Sequence, residues 1–142
     1  MCLYTNSVFP KKAKKDIHVY KVLSYYSNID GYKTPYRQAR IDSATLTTGD
    51  KKMKKIIWSN IFRDCEYELE EGIHSYTTFS GIQTNGVILE AIIPKGTLYY
   101  EDCLSDRVCS EKIIFTGFRY EYDTGAKVRD SIMMRIIARD DK

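Results

Sequence analysis

Residues 87–94 read VILEAIIP, the most apolar run in the chain. Gly86 and Pro94 bound it. Its length suits a buried central strand, and the rest of the sequence can be organised around it. Downstream, PKGT (94–97) is a turn, followed by LYYE, a polar loop carrying a cysteine, and the strand-like EKIIFTGFRYEYD (111–123). DTGAK (123–127) then reads as a hairpin connection. VRDSIMMRIIA (128–138) fits two periods. As a strand it places Val128, Ile132, Met134 and Ile136 on one face. As a helix it gives a stripe of Val128, Ile132, Met133, Ile136 and Ile137. The preceding hairpin signal favours the strand.

Upstream, SGIQTNG (80–86) is a loop or a single helical turn, and Gly72 opens IHSYTTF, a strand by composition. IHVYKVLSYY (17–26) is rich in β-branched and aromatic residues. Extended, it puts Ile17, Val19, Leu23 and Tyr25 on one face, with Lys21 on that same face where an apolar residue would fit. NIDGY (28–32) signals a turn, and Pro35 argues against a central strand at 34–36. Residues 39–48 read as weak strand or loop, GDKK (49–52) turns the chain, and KKIIWSNIF (54–62) is a strand or short helix. There is no repeat, low-complexity segment or linker. The expected fold is mainly β (a β-rich α+β chain). It is a single domain over 1–142, a two-sheet sandwich or a split sheet with little helix, with residues 1–16 readable as an extended basic arm.

The totals agree with a globular domain: 142 residues, 43% apolar and 29% charged. Twelve tyrosines are unusual; their rings pack while their hydroxyls stay wet, which suits strands and binding surfaces alike. No apolar run is long enough to span a bilayer, so no membrane partner is expected. MCLYTNSVFPKKAKK lacks the apolar stretch of a secretory signal. The expected location is the cytoplasm, or the host cytosol if the chain is viral. Cys2, Cys65, Cys103 and Cys109 form no CxxC pair and match no zinc spacing. No metal or cofactor is expected, and most thiols should be free, with Cys103–Cys109 the preferred pair if a bridge forms. The net charge of +3 is concentrated in KKAKK (11–15) and KKMKK (51–55). Such runs are solvated surface or phosphate attractors. A nucleic-acid partner is disfavoured, because a larger positive excess interleaved with exposed aromatics would be needed.

EEGIHSYTT (70–78) concentrates polar chemistry where a strand is expected. His18 and His74, the only histidines, sit in HVY and HSY. Paired strand histidines resemble two-histidine phosphoesterases, which use one imidazole as base and the other as acid. That family has Ser or Thr two residues after each histidine, whereas Tyr20 and Tyr76 stand there.

A broader likeness runs from about residue 17 to 122. Tyr-Lys on an early strand is followed by GIHSYTT, VILEAIIPKGTLYY and SEKIIFTGFRYEY. This order resembles the core of ADP-ribosyltransferase-type domains, which bind NAD between two sheets. The resemblance implies Lys21 at the basic position, Ser75, Tyr76 and Thr77 on the second strand, and Glu111 at the acidic one. The family has Arg or His at the basic position, and lysine lacks their directed geometry. Lys112 follows Glu111 and could neutralise it. The segments MCLYT, YKV, GIHSY, IPKGTLYY and SEKII are also similar to small proteins of phages and gut bacteria, which implies a small stand-alone cytosolic protein of viral type.

These readings converge on a module for a small phosphate-bearing nucleotide, with Lys21, Tyr36, Arg37, His74, Ser75, Tyr76, Lys95 and Tyr99 as its ligand-binding set. Cations and backbone amides meet phosphate, and tyrosines stack on a base. In a phage such a module would sequester a host signalling nucleotide, a cyclic dinucleotide or an ADP-ribose or NAD derivative, without turnover, as immune evasion. One alternative is an enzyme acting on NAD or a phosphodiester through His18, His74 and Glu111. The other is a protein-interaction domain, including a homo-oligomer formed through strand edges.

Overall fold

The strands, in chain order, are β1 (Leu3–Thr5), β2 (Lys11–Lys12), β3 (Ile17–Tyr26), β4 (Gly31–Lys33), β5 (Arg40–Ile41), β6 (Thr45–Thr47) and β7 (Lys54–Ile57). They continue with β8 (Tyr67–Glu71), β9 (Ile73–Tyr76), β10 (Val87–Ile93), β11 (Leu98–Glu101), β12 (Arg107–Ser110), β13 (Lys112–Tyr120) and β14 (Lys127–Arg129). Among the described residues one helix, α1 (Ser131–Asp140), follows. This computed structural model describes residues 3–6, 9–26, 31–34, 40–48, 54–57, 67–82, 86–103 and 105–141. The fold is mainly β, with antiparallel sheets that do not close into a barrel.

VILEAIIP is central, as its apolar run predicts. β10 lies between β13 and β3 in a large sheet ordered β14-β13-β10-β3-β9-β12-β11-β2, with β6 on β13, β4 on β3 and β5 on β4. A small sheet, β1-β8-β7, stands apart. The pairing within the large sheet is uneven. β3 pairs with β10 continuously from Val87↔Leu23 to Ile93↔Ile17. On its other side it meets β9 at one pair only, Tyr20↔Tyr76. The large sheet is therefore two ladders joined at a narrow seam.

The main core fills one face of both ladders. Val19, Leu23, Leu89, Ala91 and Ile93 come from β3 and β10, Ile73 and Val108 from β9 and β12, and Ile113 and Phe115 from β13. Met133 and Ile136 of α1 cover this face. The opposite face holds Val22, Ile82 and Ile88, with Tyr20, Tyr76, Phe79 and Tyr120 packed on them. A third cluster, Leu3, Leu69, Tyr100 and Cys109, joins the small sheet to β11 and β12. Leu3 and Thr5 are buried and Lys11–Lys12 pairs with β11, so these segments lie in sheets and do not form a basic arm.

Two further expectations are corrected. Residues 128–138 are a strand only as far as Arg129, after which the chain turns helical. The DTGAK hairpin forms as expected, and Asp130 N still donates to Gly117 O as the last ladder-like bond. The Asp130 carboxylate then accepts from Met133 N at 2.7 Å and caps the helix, while its second oxygen accepts from Tyr32 OH. The helical stripe, with Met133 and Ile136 buried and Ile132 and Ile137 beside them, faces the core. Gly117, at φ +96°, lets α1 approach: a Cβ there would lie 2.3 Å from Met134 Sδ. The second correction concerns the cysteines. Cys109 is a free, buried thiol and Cys103 is disulfide-bonded, so the bridge is not Cys103–Cys109. Cys109 is turned under the small sheet among Leu3, Leu69 and Tyr100, and its Sγ lies 3.6 Å from Glu71 O.

Among the described residues, no helix is long and apolar enough to cross a membrane.

Candidate functional site

At the seam, alternation along β3 sends Lys21 toward the core between Val19 and Leu23, both fully buried. An ammonium there needs acceptors. It finds the backbone carbonyl of His74, to which Nζ donates at 2.7 Å. Among the described residues no carboxylate pairs with it. Burial lowers the Lys21 pKa to about 8, opposed only weakly by Cys109.

His74 and Ser75 supply the other side. Gly72, at φ +135°, starts the short strand that presents them. His74 stands opposite Cys109, and Ser75 opposite Val108. The imidazole Nδ1 of His74 and the hydroxyl of Ser75 are buried and, among the described residues, have no hydrogen-bond partner. Ser75 is only 1% exposed. Desolvation lowers the His74 pKa to about 4, with Lys21 and Arg107 adding to the effect and Asp102 opposing it. Arg107 is itself held by a bond of 2.9 Å from Nη2 to the buried Asp102 carboxylate. Around the seam thus stand a half-buried cation, a neutral imidazole and a hydroxyl, with Ser75 on the main-core face beside Val108 and His74 on the opposite face of β9 beside Cys109. Buried polar groups are nearly always paired, and such a concentration marks a place with polar binding capacity.

The remaining sequence-derived residues are dispersed. Tyr76 is at the seam, opposite Tyr20 and Arg107. Tyr99 lies two strands from His74's strand, opposite Ser110 and Lys11, with its ring against the main core. Lys95 is exposed in the turn after β10, where its backbone N donates to Asp16 Oδ1 at 2.8 Å. Because Ile93 pairs with Ile17, that turn sits about four residues, ~13 Å, from Lys21 along β3. Tyr36 and Arg37 lie outside the described residues. Glu111 occupies the short link from β12 to β13, its backbone N donating to Leu98 O and its carbonyl accepting from Thr48 N. By the Tyr20↔Tyr76 register, His74 stands level with Val22, again ~13 Å along β3 from His18.

His18 belongs to a different network, one that sequence reasoning missed. Its Nε2 is 3.0 Å from both Glu90 Oε2 and Tyr120 OH. Glu90 is buried at 7% exposure and also accepts from Thr116 Oγ1 (2.6 Å), Tyr120 OH (2.8 Å) and Lys127 Nζ (3.4 Å). Tyr120 has one proton and gives it to Glu90, so Nε2 of His18 is the protonated nitrogen, donating to these oxygens. Burial alone would raise the Glu90 pKa, but the bonds from Thr116, Tyr120 and His18 outweigh it and hold the pKa at about 2. The Tyr120 hydroxyl is correspondingly pushed up, by burial and by Glu90. His18, Tyr20, Phe79 and Tyr120 pack around the network, with His18–Tyr20 and Tyr20–Tyr120 ring centroids 4.9 Å apart. The signal available in the sequence was a lone glutamate inside VILEAIIP.

Comparison with protein-family models, with curated proteins and with solved structures finds no match for the chain. Function must therefore be argued from the site.

Proposed function

We propose that the protein is a binding module for a small phosphate-bearing nucleotide, with the β3–β9 seam as its site. The observation that carries this reading is the half-buried Lys21 ammonium, bonded to a carbonyl and paired with no carboxylate among the described residues. A desolvated, unneutralised cation is costly to the fold and is best stabilised by an anion that arrives from outside. Ser75 Oγ and, on the other face of β9, His74 Nδ1 are further unpaired groups able to bond ribose or phosphate oxygens. Tyr20 and Tyr76, paired at the bridge, offer rings for a base on the face opposite the main core.

Binding is favoured over turnover. Acid–base work across a phosphodiester would need His18 and His74 within one ligand group of each other, and they stand ~13 Å apart on the ladder, with His18 engaged by Glu90. Of the sequence-derived set, this reading keeps Lys21, His74, Ser75 and Tyr76 and leaves Lys95 and Tyr99 outside the site. The test is a thermal-shift panel of NAD, ADP-ribose, nucleoside monophosphates and cyclic dinucleotides, each recovered afterwards and checked by chromatography. A rise in melting temperature with the ligand unchanged supports a binding module. Conversion of the ligand would favour the enzyme alternative, and no shift across the panel would overturn the proposal.

A further inference from the structure

The seam makes no use of the first lysine cluster. KKAKK (11–15) begins as β2, which pairs with β11 and, among the described residues, forms an edge of the large sheet. Ala13 anchors the segment. It is buried, its N donates to Thr97 O at 2.9 Å, and its O accepts from Gly96 N at 2.8 Å. These two bonds clamp the segment to the turn after β10, so Lys95 joins Lys11, Lys12, Lys14 and Lys15 in one exposed group. The turn stands open to solvent, since a Cβ on Gly96 would meet nothing within 4 Å. Phe9 precedes the cluster and, at 79% exposure, is the most exposed large apolar residue among those described.

Two carboxylates share this edge. Glu101 is committed to Lys11 at 2.9 Å, and Asp16 accepts from Lys95 N while remaining an anion. Glu111 and Lys112, at the nearby start of β13, offset each other in charge. Five lysines against two carboxylates leave an excess of three, which equals the formal net charge of the entire chain. Among the described residues the ammonium groups of Lys12, Lys14, Lys15 and Lys95 form no salt bridge. Protection of a sheet edge against stray pairing accounts for Lys11 and Lys12. It does not account for Lys14, Lys15 and Lys95, which lie outside the strands, nor for a phenyl ring left in water.

The chemistry narrows the partner. All five cations are lysines, strongly hydrated point charges without the planar fork of arginine. Lysine is depleted in protein–protein interfaces, and one phenyl does not make the stacking row of a single-strand nucleic-acid groove. Diffuse attraction to a negative surface, with one ring entering the boundary between headgroups and acyl chains, uses both features. Such adhesion needs no spanning segment.

We infer that this edge is a peripheral docking surface for an anionic lipid membrane, with Lys12, Lys14, Lys15 and Lys95 at the headgroups and Phe9 in the interface. It is remote from the nucleotide reading of the seam and does not rest on it.

The experiment is cosedimentation of the full chain with phosphatidylcholine vesicles, with and without phosphatidylserine, at low and high salt. Binding is expected only to the vesicles that contain phosphatidylserine, and high salt should abolish it by screening. Partition should weaken about tenfold or more in K14Q/K15Q, about fivefold in Lys95→Gln and several-fold in Phe9→Ser, with Lys21→Met unchanged. The substituted cluster residues are exposed, and circular dichroism checks the fold of each variant. No binding to the anionic vesicles, equal binding to both kinds, full affinity in any cluster variant, or loss of affinity in Lys21→Met would each overturn the inference. So would saturable binding of a single-stranded oligonucleotide by a protein that ignores the vesicles.

Discussion

The Lys21 ammonium donates to the backbone carbonyl of His74 at 2.7 Å, across the seam where β3 and β9 share a single paired position. A side chain thus makes a cross-strand bond beside the one pair that the ladder provides. A charged group does this work because the strands part at this point. A fully zipped ladder would have satisfied the carbonyl from the neighbouring backbone and left no role for the lysine.

Replacing Lys21 with methionine should stabilise the free protein at neutral pH by about 1–2 kcal/mol. The folded pKa, about 8, lies below the usual 10.5. The unfolded chain therefore binds more protons between these values, and the penalty from Lys21 is full below pH 8 and fades toward pH 10.5. Denaturant melts at pH 7 and pH 10.5 should show the wild-type deficit relative to Lys21→Met shrinking. An equal gap at both pH values would mean that the ammonium is not desolvated.

His74 should make the fold acid-sensitive. Its folded pKa, about 4, lies below the unfolded value of 6.5, so its contribution is intact above pH 6.5 and is lost as pH falls toward 4. The loss should reach up to about 3 kcal/mol in the wild type, and a His74→Phe variant should show a flatter profile over that range. Parallel profiles would contradict a buried neutral imidazole.

Glu90 should be the most sensitive polar position in β10. Glu90→Gln keeps the volume but breaks an ionised acceptor of four donors, and about 2–3 kcal/mol of stability should be lost. Because its pKa is held at about 2, below the ordinary 4.5, the contribution is complete above pH 4.5 and disappears as pH falls through 2. Tyr120→Phe should cost about 1 kcal/mol. In a double-mutant cycle the two losses should be non-additive, and additivity would show that the hydroxyl and the carboxylate act independently.

Two positions should govern the docking of α1. Asp130→Ala removes the cap and the acceptor of the buried Tyr32 hydroxyl, at a cost of about 2 kcal/mol. Gly117→Ala should cost at least as much, since its φ of +96° is strained for alanine and its Cβ would meet Met134. Thermal melts followed in the far ultraviolet would read both. An unchanged melting temperature in Gly117→Ala would show that the helix can shift away freely.

The β-rich class and the central place of VILEAIIP were legible because apolar runs and turn residues act locally. The face of Lys21 was legible too, since strand alternation fixes it once Val19 and Leu23 are inside. The helix at 131–140 was misread because its apolar residues fit both periods. The deciding residue was Asp130, a capping aspartate immediately before SIMM, which ends the second strand of the hairpin and starts the helix. Glu90 went unremarked because its four donors come from β3, β13 and β14, far apart in sequence. The dispersal of Lys95 and Tyr99 was equally hidden, because it depends on which strands become neighbours. Residue types in a row reveal an available chemistry, whereas only pairing reveals which groups meet.

The most direct test of the seam as a nucleotide site is calorimetric titration of wild type and Lys21→Met with the best ligand from the thermal-shift panel. The account predicts saturable binding in the wild type and at least about a tenfold loss in the variant, even though the variant is the more stable protein. Equal affinity in the two proteins would place the ligand elsewhere and contradict the account.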